Sequence, residues 1–385
     1  MKIKTGKMDI CSFINPVRLK RLLVDSVNQY SPSFAEFPAL TVFTQFLREN
    51  NLKYSLQRIN PEIAGSNRSN IICSLGPEPI GLLFVGHVDT VDLWHEGGHQ
   101  AVLKGERIYG LGTADMKGGC SAMLEALAVI KESDMQLSRG VGVALVVGEE
   151  QYGDGSQLLS RDYSAPLVII GEPTNLMPCL SHYGYLEIQF SGKGERAHAA
   201  LPEIGANAIH AMLDWMLRIL NECGELSYAA ELAVNPREIQ GGEPSFVVAD
   251  SCEALVDIHL PPKISSDDIE KIIEETRKET IDSYKNIDLN YQKLFSTGGF
   301  EQNASHKVFN PLRNVFEELG RPWMPGIFRS QSDAVFFKKP DNNVVICGPG
   351  DLAVAHRRNE FVSLPDVETA ARIYLSLIRE VCADT

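Results

Sequence analysis

Short, uninterrupted apolar runs, each leading into polar residues, place the strongest constraint on the fold of this chain. The runs are IGLLFVG (Ile80–Gly86), VGVALVVG (Val141–Gly148), LVIIG (Leu167–Gly171) and VVICG (Val344–Gly348). Runs of this length are typical of strands buried on both faces of a parallel sheet. Helical patterns lie between and after them, for example at Gly118–Lys131 and Pro365–Val381. We therefore predict an α/β fold with a mostly parallel central sheet.

The middle of the chain has a different pattern, which predicts a second domain. Strand patterns occur at Tyr185–Gly192, Ser245–Ala249, Glu253–Leu260 and Asp288–Phe295, and helical patterns at Gly205–Asn221 and Asp267–Ile281. The resulting order, βαββαβ, is that of a ferredoxin-like unit. We therefore predict an inserted domain at 183–294 that divides a catalytic domain into residues 1–182 and 295–385. A length of 385 residues, more than one core usually fills, agrees with two domains.

The composition excludes several classes of protein. The chain has 50 acidic and 36 basic residues and a formal net charge of −14, which argues against a nucleic-acid binder. No apolar stretch is long enough to span a membrane, and the basic start of the chain has no apolar segment typical of a secretory signal. The eight cysteines are scattered singly, without CxxC pairs. We therefore expect a cytoplasmic protein without a disulfide framework.

Acidic residues and histidines follow the predicted strands at the points where the strands end. They are His87, Asp89, Glu149, Glu150, Glu172 and, after the last strand, His356; Asp115 precedes a predicted helix. In open α/β sheets ligands bind at the carboxyl ends of strands, so we expect these side chains to lie close together. So many carboxylates would repel one another unless a cation neutralised them. Mixed histidine and carboxylate ligands suit Zn²⁺, and also Co²⁺ or Mn²⁺.

An ordered set of motifs extends this prediction to a family. The motifs are GHVDTV (86–91), DMKGG (115–119), Glu149-Glu150, Glu172-Pro173-Thr174 and GPGDLAVAHRRNE (348–360). In order and spacing the chain resembles the M20 family of metallo-aminoacylases and peptidases, which includes acetylornithine deacetylase, succinyl-diaminopimelate desuccinylase and carboxypeptidase G2. The resemblance implies a zinc-peptidase-type catalytic domain interrupted by a smaller lid domain that often dimerises. It therefore also implies a homodimer through the lid.

The resemblance assigns metal ligands residue by residue. His87 and Glu172 would hold one ion, and Glu150 and His356 would hold the other. Asp115 would bridge the two. The resemblance thus implies two Zn²⁺ per chain, with Co²⁺ or Mn²⁺ as substitutes.

Three further residues take catalytic roles under the same resemblance. Glu149 would be the general base, which takes a proton from a metal-activated water and passes it to the leaving amine. Asp89 would orient the imidazole of His87. His198 matches the lid histidine that, in dimeric members, reaches the partner's site and stabilises the oxyanion. The alternative for His198 is a surface histidine in a loop.

The predicted substrate-binding residues depart from the family pattern. Phe246 stands where many members have asparagine, and His259 stands where members usually have arginine; in the family that pair helps to bind the substrate's carboxylate. The loop RSQSD, with Arg329, Ser332 and Asp333, replaces a more glycine-rich loop. We take these five as candidate substrate-binding residues.

Two explanations of these departures remain open. The carboxylate clamp could have moved, with Arg329, Arg357 or Arg358 supplying the charge. Alternatively, the substrate carries no carboxylate at that end, and Phe246 packs against an apolar group. An arginine pairs a carboxylate at any pH, whereas a histidine is only partly charged at neutral pH.

The function predicted from the sequence is hydrolysis of the amide bond of an N-acyl amino acid. An activity similar to acetylornithine deacetylase is the first hypothesis. Succinyl-diaminopimelate desuccinylase and a dipeptidase or carboxypeptidase of the same family are alternatives. A non-catalytic relative that uses the fold as a binding module is a further alternative, but such relatives usually lose a ligand or the base. This chain retains every predicted ligand and the base.

Overall fold

The computed structural model describes residues 10–59, 67–93, 96–133, 135–339 and 342–384. Their contacts divide the chain into two compact units. The first unit consists of the described residues within Met1–Leu180, Gln302–Gly326 and Ser332–Thr385, and the second of Ser181–Glu301 and Ile327–Gln331. The second unit is therefore larger than the insertion predicted at 183–294. It gains the end of its last long strand, a short two-residue strand and the separate segment 327–331.

The described residues form strands and helices throughout both units. In chain order the strands are β1 (Tyr54–Arg58), β2 (Ser69–Leu75), β3 (Ile80–His87), β4 (Val102–Lys104), β5 (Arg107–Tyr109), β6 (Gly140–Val146), β7 (Leu167–Pro173), β8 (Cys179–His182), β9 (Gly184–Lys193), β10 (Ala233–Gly241), β11 (Ser251–Leu260), β12 (Asp288–Thr297), β13 (Phe300–Glu301), β14 (Gly326–Phe328), β15 (Asn343–Gly348) and β16 (Phe361–Ser363). The α-helices are Pro16–Val27, Phe37–Glu49, Gly118–Ser133, Asp154–Asp162, Ala208–Gly224, Ser266–Ser283, Asn310–Glu318, Ala334–Phe337 and Leu364–Cys382.

The first unit is built on a mixed sheet whose centre is parallel. Its strands lie in the order β1-β2-β6-β3-β7-β15. The four strands β6, β3, β7 and β15 run parallel to one another, whereas β1 and β2 are antiparallel to their neighbours. Each of these four strands contains all or most of one apolar run; only the run Val141–Gly148 continues past its strand, β6. The strands β3, β6 and β7 are buried along their whole length. The predicted α/β class with a mostly parallel central sheet is confirmed.

Two long helices pack against this sheet and against each other. They are Gly118–Ser133 and Leu364–Cys382, and both contact β3. Helix Gly118–Ser133 is buried from Gly118 to Ile130, which explains why its sequence is almost wholly apolar. It approaches β7 so closely that a Cβ on Gly119 would lie 2.3 Å from the backbone oxygen of Gly171. The paired glycines of the DMKGG motif therefore allow this helix to begin directly against the sheet.

The second unit has its own antiparallel sheet and its own core. The element order is β9, helix, β10, β11, helix, β12, and the strands lie in the order β10-β11-β9-β12. The predicted order of strands and helices is thus observed. Both helices place apolar residues against one face of the sheet. Trp215 is fully buried there, and its Nε1 donates to the backbone oxygen of Ile273 at 3.2 Å.

One predicted strand is wrong. Residues 245–249 form no strand; the strand at that point of the order is β10, at Ala233–Gly241. β10 lies at the edge of the sheet, is mostly exposed and is irregular between Pro236 and Glu238. An exposed edge strand with a proline lacks apolar alternation, so its sequence looks like a loop.

Each of the eight cysteines is buried and free of disulfide bonds. Among the described residues, no helix has both the length and the apolar character needed to cross a membrane.

The packing of helix Gly118–Ser133 on β7 gives a stability prediction. Gly119→Ala should lower the free energy of unfolding by about 1–3 kcal/mol, because the new methyl group would overlap backbone atoms of Gly171, which cannot rotate away as a side chain can. Chemical denaturation would measure the change. Gly224→Ala is the matched control, since Gly224 is also helical but its Cβ would meet nothing within 4 Å. Alanine there should leave stability unchanged or raise it by up to ~1 kcal/mol. Equal stability of Gly119→Ala and wild type would contradict this account of the packing.

Candidate metal centre

Three neighbouring parallel strands bring three of the five predicted metal ligands and the predicted base to one edge of the sheet. His87 is the last residue of β3, and Glu172 lies near the end of β7. Glu149 and Glu150 follow β6 after Gly148, whose φ of +78° is a left-handed conformation that favours glycine. Parallel pairing aligns these strand ends, so their side chains converge as predicted.

Asp115 and His356 reach the same place from loops. Asp115 lies in a distorted turn, Thr113–Lys117, that leads into helix Gly118–Ser133. His356 follows β15 in the loop before β16 and has a φ of +56°, which is uncommon for histidine. The strand and helix pattern placed both residues near the cluster, and the motif resemblance then gave each a ligand role.

The five predicted ligands form one continuous cluster. His87 Nε2 lies 3.1 Å from Asp115 Oδ1 and 3.7 Å from Glu172 Oε2. His356 Nε2 lies 3.4 Å from the other oxygen of Asp115, Oδ2, and 3.1 Å from Glu150 Oε2. The carboxylate of Asp115 therefore lies between the two imidazoles, with one oxygen directed to each.

The geometry of the cluster fits metal binding. Ligand atoms of three sets lie within 4.8 Å of one another: His87, Asp115 and Glu172; Asp115, Glu150 and His356; and His87, Glu149 and Glu150. In addition, Glu172 Oε1 is buried and has no hydrogen-bond partner among the described residues. A buried carboxylate oxygen is costly unless something satisfies it. Histidine nitrogens with carboxylate oxygens are the donor set that Zn²⁺ and similar ions accept.

The electrostatics of the cluster show how strongly it needs positive charge. Burial raises the pKa of Glu172 to about 8 and the pKa of Glu149 well above its ordinary value. The carboxylate of Glu150 raises the pKa of His356 to about 12. Burial alone would raise the pKa of Asp115, but hydrogen bonds from His356 and His87 outweigh it and lower that pKa. Protonated imidazoles thus supply the positive charge that a divalent cation would bring.

Asp89 connects the two halves of the cluster. It is fully buried, and its backbone oxygen lies 3.1 Å from Nδ1 of His87, which directs Nε2 of that ring toward Asp115. Its carboxylate accepts the backbone N–H groups of Glu149, at 3.3 Å, and Glu150, at 3.1 Å. The hydroxyl of Ser33 donates to the same carboxylate at 2.7 Å. Asp89 therefore fixes both a histidine and the turn that carries the paired glutamates.

Glu149 lies at the edge of the cluster. Its Oε2 is 3.9 Å from His87 Nε2, too far for a hydrogen bond. After burial, repulsion from Glu172 and Asp333 helps to raise its pKa. A carboxyl group with a raised pKa in this position is suited to accept and return a proton.

Two buried residues around the cluster had no role in the sequence prediction. The carboxylate of Glu360 accepts backbone N–H groups from the loop that carries Asp115. The ammonium of Lys117 donates to the backbone oxygens of Ser26 and Gln29. Both belong to the motifs GPGDLAVAHRRNE and DMKGG, but spacing alone gives no reason to expect that such charged residues are buried.

Ser332 and Asp333 also lie in the first unit, whereas the other predicted substrate residues do not. Both are buried beside the helix Ala334–Phe337, and burial raises the pKa of Asp333 to about 7. The hydroxyl of Ser332 accepts the backbone N–H of Ala334 at 3.3 Å.

The second unit contains His198, Phe246, His259 and Arg329. His198 is exposed, and its Nδ1 accepts the backbone N–H of Ala200 at 3.1 Å. Phe246 is 87% exposed, so its ring packs against little. Burial lowers the pKa of His259. The guanidinium of Arg329 lies over the ring of Tyr183, 5.8 Å from its centroid.

Comparisons with known proteins agree with the resemblance seen in the motifs. An acetylornithine deacetylase of Photorhabdus laumondii subsp. laumondii is 27% identical over 358 residues, which cover 89% of this chain and 90% of that protein. The fold is similar to a tripeptidase from Staphylococcus aureus, with a TM-score of 0.81 at 21% identity, covering 96% of this chain and 99% of that one. It is also similar to human carnosine dipeptidase 1, with a TM-score of 0.77 at 13% identity, covering 97% and 99%.

A family model matches most of the chain. Residues 83–380 match Peptidase family M20/M25/M40, a range that includes every residue of the cluster. The chain belongs to Peptidase family M20/M25/M40 and is a hydrolase that acts on amide or peptide bonds.

Proposed function

We propose that the chain is a binuclear metal-dependent amidohydrolase that cleaves the amide bond of an N-acyl amino acid, with an activity similar to that of acetylornithine deacetylase. The observation that carries the proposal is the position of Asp115, whose two carboxylate oxygens lie 3.1 and 3.4 Å from two different imidazoles. A carboxylate shared in this way suits a bridging ligand between two ions. The acetylornithine deacetylase relatives, similar over most of their length, support the substrate class.

Each ion has a proposed set of ligands. His87, Asp115 and Glu172 would hold one, and Asp115, Glu150 and His356 would hold the other. We propose zinc, since histidine and carboxylate together suit it, with Co²⁺ or Mn²⁺ as substitutes. Bound there, the ions would polarise an amide carbonyl and make a nearby water more acidic.

The surrounding residues would accept the proton of the attacking water and hold the accepting group in place. Glu149 would accept it from the attacking water, and its raised pKa then favours holding the proton until the amine leaves. Asp89 would keep His87 and the Glu149–Glu150 turn in place through the hydrogen bonds described above. A base fixed by backbone hydrogen bonds loses little entropy when it acts.

His198 is the candidate for stabilising the oxyanion. Its Nδ1 accepts a hydrogen bond, so the neutral ring carries its proton on Nε2. That N–H is a donor of the kind an oxyanion needs.

We also propose a homodimer through the second unit, where Leu213 and Leu217 are exposed one turn apart on helix Ala208–Gly224. The mass of the protein in solution tests this proposal.

Binding of a substrate carboxylate by His259 has little support. Because burial lowers its pKa, His259 is neutral at neutral pH and cannot replace the charge of an arginine. Arg357 and Arg358 are exposed and immediately follow the proposed ligand His356. The loop therefore carries two positive charges directly beside a proposed metal ligand in the sequence. We therefore favour a relocated clamp over a substrate without a carboxylate.

Other hydrolytic activities remain as alternatives within the family. A succinyl-diaminopimelate desuccinylase activity would use the same metal centre on a substrate with a longer acyl group. A dipeptidase or carboxypeptidase is suggested by the tripeptidase and carnosine dipeptidase folds. A non-catalytic binding protein is disfavoured because ligands, base and orienting aspartate are all retained.

Removal of the proposed base gives the first test. Glu149→Ala should retain its metal but lose about 10²–10⁴-fold in kcat, because the water loses its proton acceptor. Metal analysis and amide hydrolysis by the same preparation would measure both. Glu132→Ala removes an exposed glutamate of the same unit and should leave both values unchanged. Turnover of Glu149→Ala near the wild-type rate would show that another group is the base.

Metal content gives the second test. The wild type should bind about two zinc ions per chain, and His356→Ala should bind about one, because only one proposed ligand set loses a member. Elemental analysis after dialysis against a weak chelator would count the ions. His210→Ala, which removes an exposed histidine, is the control. Equal metal content in His356→Ala and wild type would exclude His356 as a ligand.

The substrate carboxylate gives the third test. N-acetyl amino acids should be cleaved faster than the corresponding amides, and the double variant Arg357→Ala/Arg358→Ala should raise KM for the acids by about tenfold or more. The KM for the amides should not change, since they lack the charge. Arg329→Ala tests the other candidate arginine, and His259→Arg tests whether the family's clamp can be restored. No preference for acids over amides would support the alternative in which Phe246 faces an apolar group.

A further inference from the structure

The loop that carries Asp115 is wrapped around a buried glutamate. Glu360 is 2% exposed. Its Oε1 accepts the backbone N–H groups of Ala114, at 2.8 Å, and Asp115, at 3.1 Å, and its Oε2 accepts that of Gly112 at 3.0 Å. Three backbone donors therefore converge on one carboxylate. A carboxylate accepting several backbone N–H groups is a strong anchor for the segment that supplies them.

The backbone of Glu360 strengthens the same connection. Its oxygen accepts the N–H of Gly110 at 3.1 Å, and its own N–H donates to the oxygen of Arg357 at 3.1 Å. Immediately after it, β16 pairs with β5, so that Phe361 lies opposite Tyr109. The segment from Tyr109 to Asp115 is thus attached to Glu360 along its length.

Glu360 is also close in sequence to His356, the proposed ligand of the second ion. Three residues separate them along a loop that the Glu360 N–H to Arg357 O hydrogen bond closes. One short loop therefore contacts Asp115 twice: His356 approaches its carboxylate oxygen Oδ2 at 3.4 Å, and Glu360 binds its backbone N–H. The relative position of the two side chains depends on this double attachment.

We propose that Glu360 is a positioning residue of the metal centre, which sets the distance between Asp115 and His356. Its carboxylate does not contact the ions; it acts by holding the backbone on which the bridging carboxylate stands. The inference rests on the proposed binuclear centre and extends it to a residue outside the ligand set. Residues that orient metal ligands typically change metal affinity by about 10–100-fold when altered.

Replacement of Glu360 by glutamine isolates this role. The side chain keeps its shape, but the amide has one accepting oxygen and presents N–H donors in place of the other. Either Gly112 or the pair Ala114 and Asp115 then loses its acceptor. The loop must shift to relieve the contact between two donors, and the bridging carboxylate shifts with it.

Titration of the metal-free protein with Co²⁺ tests the proposal. Glu360→Gln should bind Co²⁺ about 10–100-fold more weakly than wild type, and its visible absorption spectrum should change because the ligand geometry changes. With saturating metal, kcat should fall while KM stays unchanged. Glu360→Asp keeps the charge and both oxygens, so its Co²⁺ affinity should lie between those of wild type and Glu360→Gln.

Glu125→Gln is the matched control. Glu125 is another fully buried glutamate, and it accepts the backbone N–H of Asn15 at 2.7 Å and the guanidinium of Arg18. Its variant should lose stability in denaturation but keep the wild-type Co²⁺ affinity and spectrum. An equal loss of Co²⁺ affinity in Glu125→Gln and Glu360→Gln would show that general destabilisation causes the loss, and it would overturn the proposal.

The same titration separates this inference from the proposed function. If Glu360→Gln and wild type bind Co²⁺ with equal affinity and identical spectra, the positioning role is wrong while the metal centre stands. Weaker binding by Glu360→Asp than by Glu360→Gln would also overturn it, because the carboxylate would not be the relevant group. If the wild type itself binds no Co²⁺, the binuclear centre is wrong and the role of Glu360 falls with it.

Discussion

Crowding of acidic side chains in a buried space is the constraint on which the site depends. Five of the carboxylates around the cluster divide into two groups by the kind of group they contact. Asp89 and Glu360 accept hydrogen bonds from backbone N–H groups, which favour their charged forms. Asp115, Glu150 and Glu172 contact the two histidines instead, and one oxygen of Glu172 has no hydrogen-bond partner within the described parts of the chain. The fold thus leaves to a cation only those acids that it does not itself stabilise.

The parallel sheet makes this arrangement possible. Side chains at the ends of β3, β6 and β7 meet because the strands pair side by side and run in one direction. The turns after the strands then orient the site residues that follow the strand ends. Gly148 turns the chain so that the N–H groups of Glu149 and Glu150 face Asp89, while their side chains take separate positions. Rigidity in this region comes from backbone N–H groups that donate to the buried side-chain carboxylates of Asp89 and Glu360.

Much of the fold and the site could be predicted from the sequence, for identifiable reasons. Buried parallel strands leave continuous apolar runs, so the central sheet and the residues after its strands were recognisable. The edge strand β10 was missed because exposure removes the alternation that marks a strand. Glu360 and Ser33 were missed because their roles depend on backbone groups distant in the chain, and a sequence pattern does not contain that geometry. Asp115 and His356 could be placed near the strand ends by pattern, but their roles as ligands came only from the resemblance, since both lie in loops.

The order of the residues along the chain has a consequence for how the centre is assembled. The proposed ligands of one ion, His87, Asp115 and Glu172, are all synthesised before the second unit begins at Ser181. The other ion also needs His356, which emerges only after that unit and after β15, the strand that pairs with β7. Pairing across so long an interval is slow compared with local folding. Of the two proposed ion sites, one therefore has all its ligands before the second unit is synthesised, whereas the other lacks His356, and the shared Asp115 lacks its anchor Glu360, until synthesis has passed that unit.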